Sequence, residues 1–524
     1  MIDGAMQPFA LTLDKFLEHA AKWRPTAEVV TAREDGSVAR IGYAELKARS
    51  QRISAVLAGM GVGVGGRVAT LAWNTQAHVE AWYAIMGMGA VCHTLNPRLT
   101  AAHLAAMVER SEVGILVAGA DLVGLAEQIA GHVPQDLLLL VIDGPAMGDA
   151  LALEPLIAGA SDGYVWGGFD ETAPCGLCFT SGTTGAPKGV TYTHRASFLH
   201  TMRALQVDTM ALSGADAVLT VVPMFHANAW GLPFAAPAVG AKLVLPGRNA
   251  DGASLAKLIL KEGVTVAVGV PTVWLGLLEH VEAAGLELPS LKRIIVGGAP
   301  MPPALMARLE ERLGVIVQTS WGMTELSPSG VVAAPGDPVR DPALSGRPAV
   351  GVDLMVADAE GRPLPQQRNA EGHLHVRGAA VVERYFGETA KATDAEGWFA
   401  TGDLARIDDD GNLAITGRAK DLIKSGGEWI NPAEIEAVVG ALPEVSLAAV
   451  IGRIDPKWGE RPILLVELRE PGASDAALLE PLKGRVASWW IPDAIVRLES
   501  MPLAATGKID KLRLRAEYGA GTAT

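Results

Sequence analysis

Between Leu13 and Val296 the apolar residues switch repeatedly between a helical period and short strand-like runs, which restricts the chain to layered α/β architecture. Helical spacing runs through 13–23 and 43–59, and 67–72 then reads as a strand. The alternation continues through 81–90, 101–109 and 114–118, with further strand-like runs at 217–222, 242–245, 264–268 and 293–296. Strands that are apolar on both faces belong to largely parallel sheets covered by helices. No long-period repeat or low-complexity tract interrupts the pattern. From about Ala349 the texture turns to short β-rich pieces such as 374–378 and 406–413, with Asp410-Gly411 as a hairpin turn. After Gly417 comes a third texture. Asn431-Pro-Ala-Glu434 places Asn at the N-cap, Pro at the first helical position and Glu two further on, so a helix is expected from there to about Gly440. Runs at 447–451, 463–468, 476–490 and 494–498 complete a compact α+β unit of about a hundred residues.

At 524 residues the chain exceeds one ordinary core. The expected division is an α/β N-terminal domain, 1–419, of layered α/β subdomains plus a small β-rich subdomain, and a C-terminal α+β domain, 420–524, with the boundary at Lys420.

The net charge of −14 argues against general affinity for nucleic acid or anionic membranes, so an anionic ligand must be held locally. Three cysteines, Cys92, Cys175 and Cys178, make no disulfide framework and suit a reducing compartment. Cys175-Gly-Leu-Cys178 leads into an apolar strand and has too few partners for a Cys-rich zinc site, so it reads as structural. The first residues lack a basic segment followed by an apolar one, and the longest weakly polar run, 229–240, falls short of the roughly 20 residues a spanning helix needs. A soluble cytoplasmic protein without an integral membrane segment is expected. Gly61-Val-Gly-Val-Gly-Gly66 matches the dinucleotide pattern but follows a helix and precedes a strand, so it reads as a turn.

The stretch Thr180-Ser-Gly-Thr-Thr-Gly-Ala-Pro-Lys-Gly-Val190 gathers hydroxyls, glycines and one lysine. Aligned on Lys188 it fails the Walker pattern, with Pro187 in place of the second glycine and Gly189 in place of the metal-binding hydroxyl. Its flanks, 176–180 and 189–193, both read as strands, and the following helix begins only at Thr193, its N-cap. The loop still offers what an anion needs: glycine backbone amides at close range, the hydroxyls of Thr180, Ser181, Thr183 and Thr184, the flexible Gly182, and the Lys188 charge.

This loop resembles the phosphate loop of the adenylate-forming superfamily, which includes acyl-CoA synthetases, peptide-synthetase adenylation domains and luciferases. Four further stretches resemble that superfamily's motifs in its order: 318–325 (QTSWGMTE), Thr401-Gly-Asp403, 417–430 (GRAKDLIKSGGEWI) and 502–508 (PLAATGK). The similarity covers essentially the whole chain. Leu503 departs from it at a position that is often basic in the family. A carboxylate is a poor acyl donor until one oxygen becomes a good leaving group. The resemblance implies that ATP supplies that group: the acid attacks the α-phosphate, pyrophosphate leaves, and a thiol, that of coenzyme A, displaces AMP.

By the same resemblance, Lys508 neutralises the approach of the acid to the α-phosphate, Glu325 and Thr184 hold Mg²⁺, and Asp403 accepts the ribose hydroxyls. Arg418 adds a cationic contact. Ser320, Trp321, Gly322, Met323 and Thr324 line the nucleotide, with Trp321 offering a stacking face where relatives commonly have Tyr. Val296 and Gly297 wall the acyl side, while Gly298, Ala299 and Pro300 border the nucleotide. Lys420 is the expected hinge about which a mobile C-terminal domain withdraws Lys508 and brings Ser425, Gly426 and Gly427 to the thiol arm.

The stretch 223–233 (PMFHANAWGLP) is rich in apolar groups and has no carboxylate to pair with an α-ammonium, so an uncharged acyl chain fits it better than an amino acid. Together with SWGMTELSP, KDLIKSGGEWI and 490–494 (WIPDA), it is similar to bacterial medium- and long-chain fatty acyl-CoA ligases and 3-methylmercaptopropionyl-CoA ligases. That likeness implies that Trp230 gates an acyl tunnel, that His226 sits near the reacting carboxylate, and that Phe225 lines the pocket. A short or aryl acid, an acceptor on a carrier protein, and a non-catalytic nucleotide-binding protein stay open as alternatives. Related ligases are often dimers, so a homodimer is expected.

Overall fold

The computed structural model describes residues 3–180, 187–338, 340–469, 472–504 and 507–520. The α/β alternation folds into two sheets. The first runs Leu151–Ala152, Leu138–Ile142, Ile115–Gly119, Arg67–Leu71, Val91–Thr94, Pro174–Phe179 and Gly189–Thr193. Its neighbours are parallel except the last pair, which is antiparallel, so the hydroxyl-rich loop joins strand to strand as read from its flanks. Thr180 N–H donates to the Lys188 carbonyl at 2.9 Å and closes the neck of that loop, while Ser181, Gly182, Thr183 and Thr184 lie outside the described residues. The second sheet has nine strands, with a parallel interior from Ile316–Gly322 to Glu28–Ala32 and antiparallel edges.

Helix Gln76–Gly87 packs against strands of both sheets and is buried on every side. The sequence expectation began this helix at Ala81 because His78 and Glu80 look polar. The structure starts it earlier, behind a Thr75 cap that accepts from His78 N–H, and satisfies both polar side chains internally. Glu80 pairs with Arg49 at 2.9 Å; His78 Nδ1 donates to the Trp73 carbonyl and its Nε2 accepts from Trp82. Burial pushes the His78 imidazole down to about 4, so it stays neutral. Asn74 ties the two sheets together, donating to the carbonyls of Thr220 and Val222 and accepting from Met224 N–H.

The β-rich stretch after Ala349 forms a four-stranded antiparallel sheet, Val352–Ala357, Glu371–Gly378, Phe399–Ile407 and Leu413–Arg418, turning at Asp410-Gly411. A 3-10 turn, Ala419–Asp421, leads from it into the last sheet. There the runs 447–451 and 463–468 are the middles of a longer hairpin, Val445–Asp455 with Gly459–Leu468. Its charged tip, including Arg453, Asp455, Lys457 and Glu460, hid the ends from an apolar pattern. The run 476–490 is broken by Pro481 and Gly484 into helix Asp475–Leu479 and 3-10 turns. Asn431 caps its helix as expected, accepting from Ala433 N–H at 3.2 Å.

Gly61–Gly66 is a turn between helix Tyr43–Gly59 and strand Arg67–Leu71. The three cysteines are free and buried, and burial pushes the Cys175 thiol up to about 12 and the Cys178 thiol to about 11, so neither is a thiolate near neutrality. Among the described residues no helix is long and apolar enough to cross a membrane.

Candidate active site

Asp403 sits on strand Phe399–Ile407 directly opposite Arg418 of the next strand, and it is 1% exposed. Its Oδ2 accepts from the Trp321 indole N–H at 2.8 Å. Arg418 Nε lies 2.6 Å from Oδ1, yet Oδ1 receives no hydrogen bond among the described residues. Burial raises this carboxyl above the usual carboxylate range, while the Arg418 charge pulls the other way. An oxygen left without a directed donor in a buried carboxylate suits a ligand hydroxyl. Trp321 does more than offer a ring: its benzo edge lies where a Cβ on Gly330 would fall, and its N–H holds Asp403. The indole lacks the hydroxyl of Tyr but carries this donor.

Glu325 occupies a 3-10 turn, Thr324–Leu326, and is 8% exposed. Its Oε1 accepts from the Tyr385 hydroxyl at 2.9 Å, and the Thr324 carbonyl accepts from Tyr192 at 2.9 Å. Lys188 places its ammonium 4.7 Å from the centre of the Tyr385 ring. Sequence reading passed over Tyr385, since Val381-Val-Glu-Arg-Tyr-Phe-Gly387 carries no periodic or motif signal of its own.

Lys508 comes from the C-terminal domain and reaches the same cleft. Thr272 donates to the Gly507 carbonyl at 3.2 Å, and Lys508 Cε lies 3.5 Å from where a Cβ on Gly298 would stand. Burial, with Arg418 and Lys420 nearby, pushes the Lys508 ammonium down to about 8, and Asp403 offsets part of this. Among the described residues that ammonium forms no hydrogen bond or ion pair. Three cations therefore surround one carboxylate, and the surplus calls for an anion. His226 faces the Lys508 charge; burial first, then that charge, push it down to about 4, so its imidazole is neutral near pH 7.

In the stretch expected to hold the acid, Ala227, Asn228, Ala229 and Trp230 have φ of 45°, 51°, 47° and 53°, one left-handed turn made without glycine. It sets the Trp230 indole against Gly297, where a Cβ would fall 2.8 Å from its ring, and beside Gly298. Phe225 packs edge-on to Trp73 with centroids 6.0 Å apart. Val296 is 1% exposed within a hydrophobic cluster, and its carbonyl accepts from Ser320 Oγ at 2.8 Å. Ala299 is partly exposed and Pro300 exposed, while Gly322 and Met323 are partly buried on the way to Glu325.

Ser425, Gly426 and Gly427 are not brought to this cluster. Ser425 Oγ accepts from Arg461 at 3.2 Å, Gly426 N–H donates to the Trp458 carbonyl, and both partners belong to the C-terminal domain itself. Positive φ at Gly426 (61°) and Gly427 (94°) makes this turn one that glycine suits.

Residues 17–386 match the family model described as AMP-binding enzyme, and 434–508 match the AMP-binding enzyme C-terminal domain. The chain belongs to the AMP-binding enzyme family. Among curated members, a long-chain-fatty-acid–CoA ligase of Thermus thermophilus is 43% identical, covering 98% of this chain and 97% of that protein. A medium-chain-fatty-acid–CoA ligase of Ectopseudomonas oleovorans is 41% identical with the same coverage. A 3-methylmercaptopropionyl-CoA ligase of Ruegeria lacuscaerulensis is 40% identical over 98% of both chains. Among solved AMP-binding enzymes, the anthranilate CoA ligase AuaEII in complex with anthranoyl-AMP superposes with a TM-score of 0.88 at 25% identity, covering 98% of each chain. ATP-bound MatB from Rhodopseudomonas palustris gives 0.85 at 26%, covering 97% of this chain and 99% of that one.

Proposed function

We propose that this AMP-binding enzyme is an acid–thiol ligase that converts a medium- or long-chain fatty acid, or a similar apolar acid, to its acyl-CoA through an acyl-AMP, releasing AMP and pyrophosphate. The observation that carries the reading is the Lys508 ammonium, without a hydrogen bond or ion pair among the described residues, beside Asp403, Arg418 and Gly298. Support for the acid and the thiol comes from the fatty acyl-CoA and 3-methylmercaptopropionyl-CoA ligases at 40–43% identity.

In the first step a carboxylate oxygen bonds to the α-phosphorus and the bond to pyrophosphate breaks. Lys508 neutralises two anions as they close, Arg418 supports it, and Asp403 holds the ribose hydroxyls through Oδ1, which sits beside Arg418 but accepts no hydrogen bond among the described residues. The neutral His226 sits by the acid without adding a further charge. Glu325 fits a divalent cation: its Oε2 accepts no hydrogen bond among the described residues, and carboxylate oxygen suits a hard ion. Mg²⁺ bound there would shield the phosphate charges. In the second step the thiol sulfur bonds to the acyl carbon, AMP leaves with its phosphate oxygen, and the thiol proton passes to solvent. Lys508 occupies the cleft in this structure, so the second step requires the C-terminal domain to turn about Lys420 and present Ser425–Gly427 instead.

The test is a panel of straight-chain acids from acetate to stearate plus 3-methylthiopropanoate, scored first for ATP-dependent pyrophosphate release and then for CoA thioester. Release with a medium- or long-chain acid, followed by thioester only when CoA is added, is expected. No pyrophosphate with any acid contradicts the reading; acyl-AMP that never passes to CoA favours an acceptor on a carrier protein. A peak at 3-methylthiopropanoate would move the substrate to that class.

A further inference from the structure

The segment 381–386 is pinned at both ends to pieces of the nucleotide site. Val382 N–H donates to the Glu325 carbonyl at 2.7 Å, and Phe386 N–H donates to the Gly189 carbonyl at 2.7 Å. Arg110 reinforces the second attachment by donating to the carbonyls of both Pro187 and Phe386, at 3.1 and 3.0 Å. Between these ends stands Tyr385. Its hydroxyl donates to Glu325 Oε1 at 2.9 Å, and its ring carries the Lys188 ammonium at 4.7 Å. The hydroxyl is the donor of that bond, since a carboxylate oxygen only accepts.

One side chain thus touches both the end of the phosphate loop and the carboxylate assigned to the cation. We propose that Tyr385 is a positioning residue that aims the Glu325 carboxylate and the Lys188 ammonium at a single polyphosphate–divalent cation unit. The hydroxyl occupies Oε1 and turns Oε2 toward the cation, while the ring limits where the flexible lysine can place its charge. The two functions reside in different atoms of the residue, so they separate by mutation.

The inference rests on the ligase reading only in taking the bound nucleotide to be ATP, and its test needs no acid. Binding of α,β-methylene-ATP, a non-reacting analogue, is measured by calorimetry in EDTA and across a Mg²⁺ series. Tyr385→Phe keeps the ring and loses the hydroxyl: affinity in EDTA is expected to stay within about twofold of wild type, while the Mg²⁺ concentration for half-maximal tightening rises at least about fivefold. Tyr385→Leu loses the ring as well, and its affinity in EDTA falls about threefold or more. An unshifted Mg²⁺ midpoint in Tyr385→Phe overturns the proposal, as does wild-type binding that does not respond to Mg²⁺. If Tyr385→Leu fails to fold by circular dichroism, the Phe variant alone decides. Failure of the ligase reading shows separately, as wild-type protein that binds nucleotide yet releases no pyrophosphate with any acid.

Discussion

Lys508 is an ammonium held where water solvates it poorly and two other cations face it, so it gives up its proton more readily than a surface lysine. The value of about 8 keeps it charged at neutral pH, the state that the first step as proposed requires. The sign follows directly: adenylation is fully supported below this pKa and is lost as pH rises through it. The kcat/KM for acyl-AMP formation, which reports the free enzyme, is therefore expected to fall about tenfold per pH unit above roughly 8. Thioester formation from supplied acyl-AMP should lack that alkaline limb; an equal limb in both would remove the assignment. The pairings of Asp403 were not legible in the sequence, because the Trp321 N–H and the Arg418 guanidinium meet it only through strand register and a contact between two subdomains. Tyr385 was missed for the same reason: its meaning lies in what the fold sets beside it.

The elements that carry the site were legible where one local signal decided them. The strand–loop–strand around 180–190, the Thr193 and Asn431 caps and the Gly61–Gly66 turn rest on residues whose chemistry is local. Helix Gln76–Gly87 and hairpin Val445–Asp455/Gly459–Leu468 were misjudged at their ends, because buried His78 and Glu80 mimic a solvent face and a charged hairpin tip mimics a loop. No propensity rule foresees the turn 227–230, in which four L-residues adopt a left-handed backbone costing roughly 1–2 kcal/mol each. Burial of Ala227, Asn228 and Ala229 and the packing of Trp230 on Gly297 surround the strained turn. A matched pair of variants tests it: Ala84 and Ala229 are both fully buried, the first in a right-handed helix and the second in this turn. By urea unfolding, Ala84→Gly is expected to lose about 1 kcal/mol or more, and Ala229→Gly close to none, since relief of strain offsets the lost methyl. Equal losses would mean that the left-handed turn stores nothing.

At the scale of the whole molecule, the proposed mechanism depends on where the C-terminal segment rests on the rest of the chain. Thr272 to the Gly507 carbonyl and Arg469 to Glu279 join the C-terminal segment to the rest of the chain beside Lys508, while buried Ser425 and exposed Gly426 bond to Arg461 and Trp458 of that same segment. The α/β layering and the change of texture after Ala349 were readable from apolar periodicity, but the docking was not: Thr272 with Gly507 and Arg469 with Glu279 are pairs far apart in sequence. The most direct test separates the two half-reactions in Lys508→Ala. Acyl-AMP formation from free acid, ATP and Mg²⁺ is expected to drop by about a hundredfold or more, while conversion of supplied acyl-AMP and CoA to thioester stays near the wild-type rate. Parallel loss of both, or adenylation that survives without the ammonium, would contradict a cleft in which one tail lysine serves only the first step.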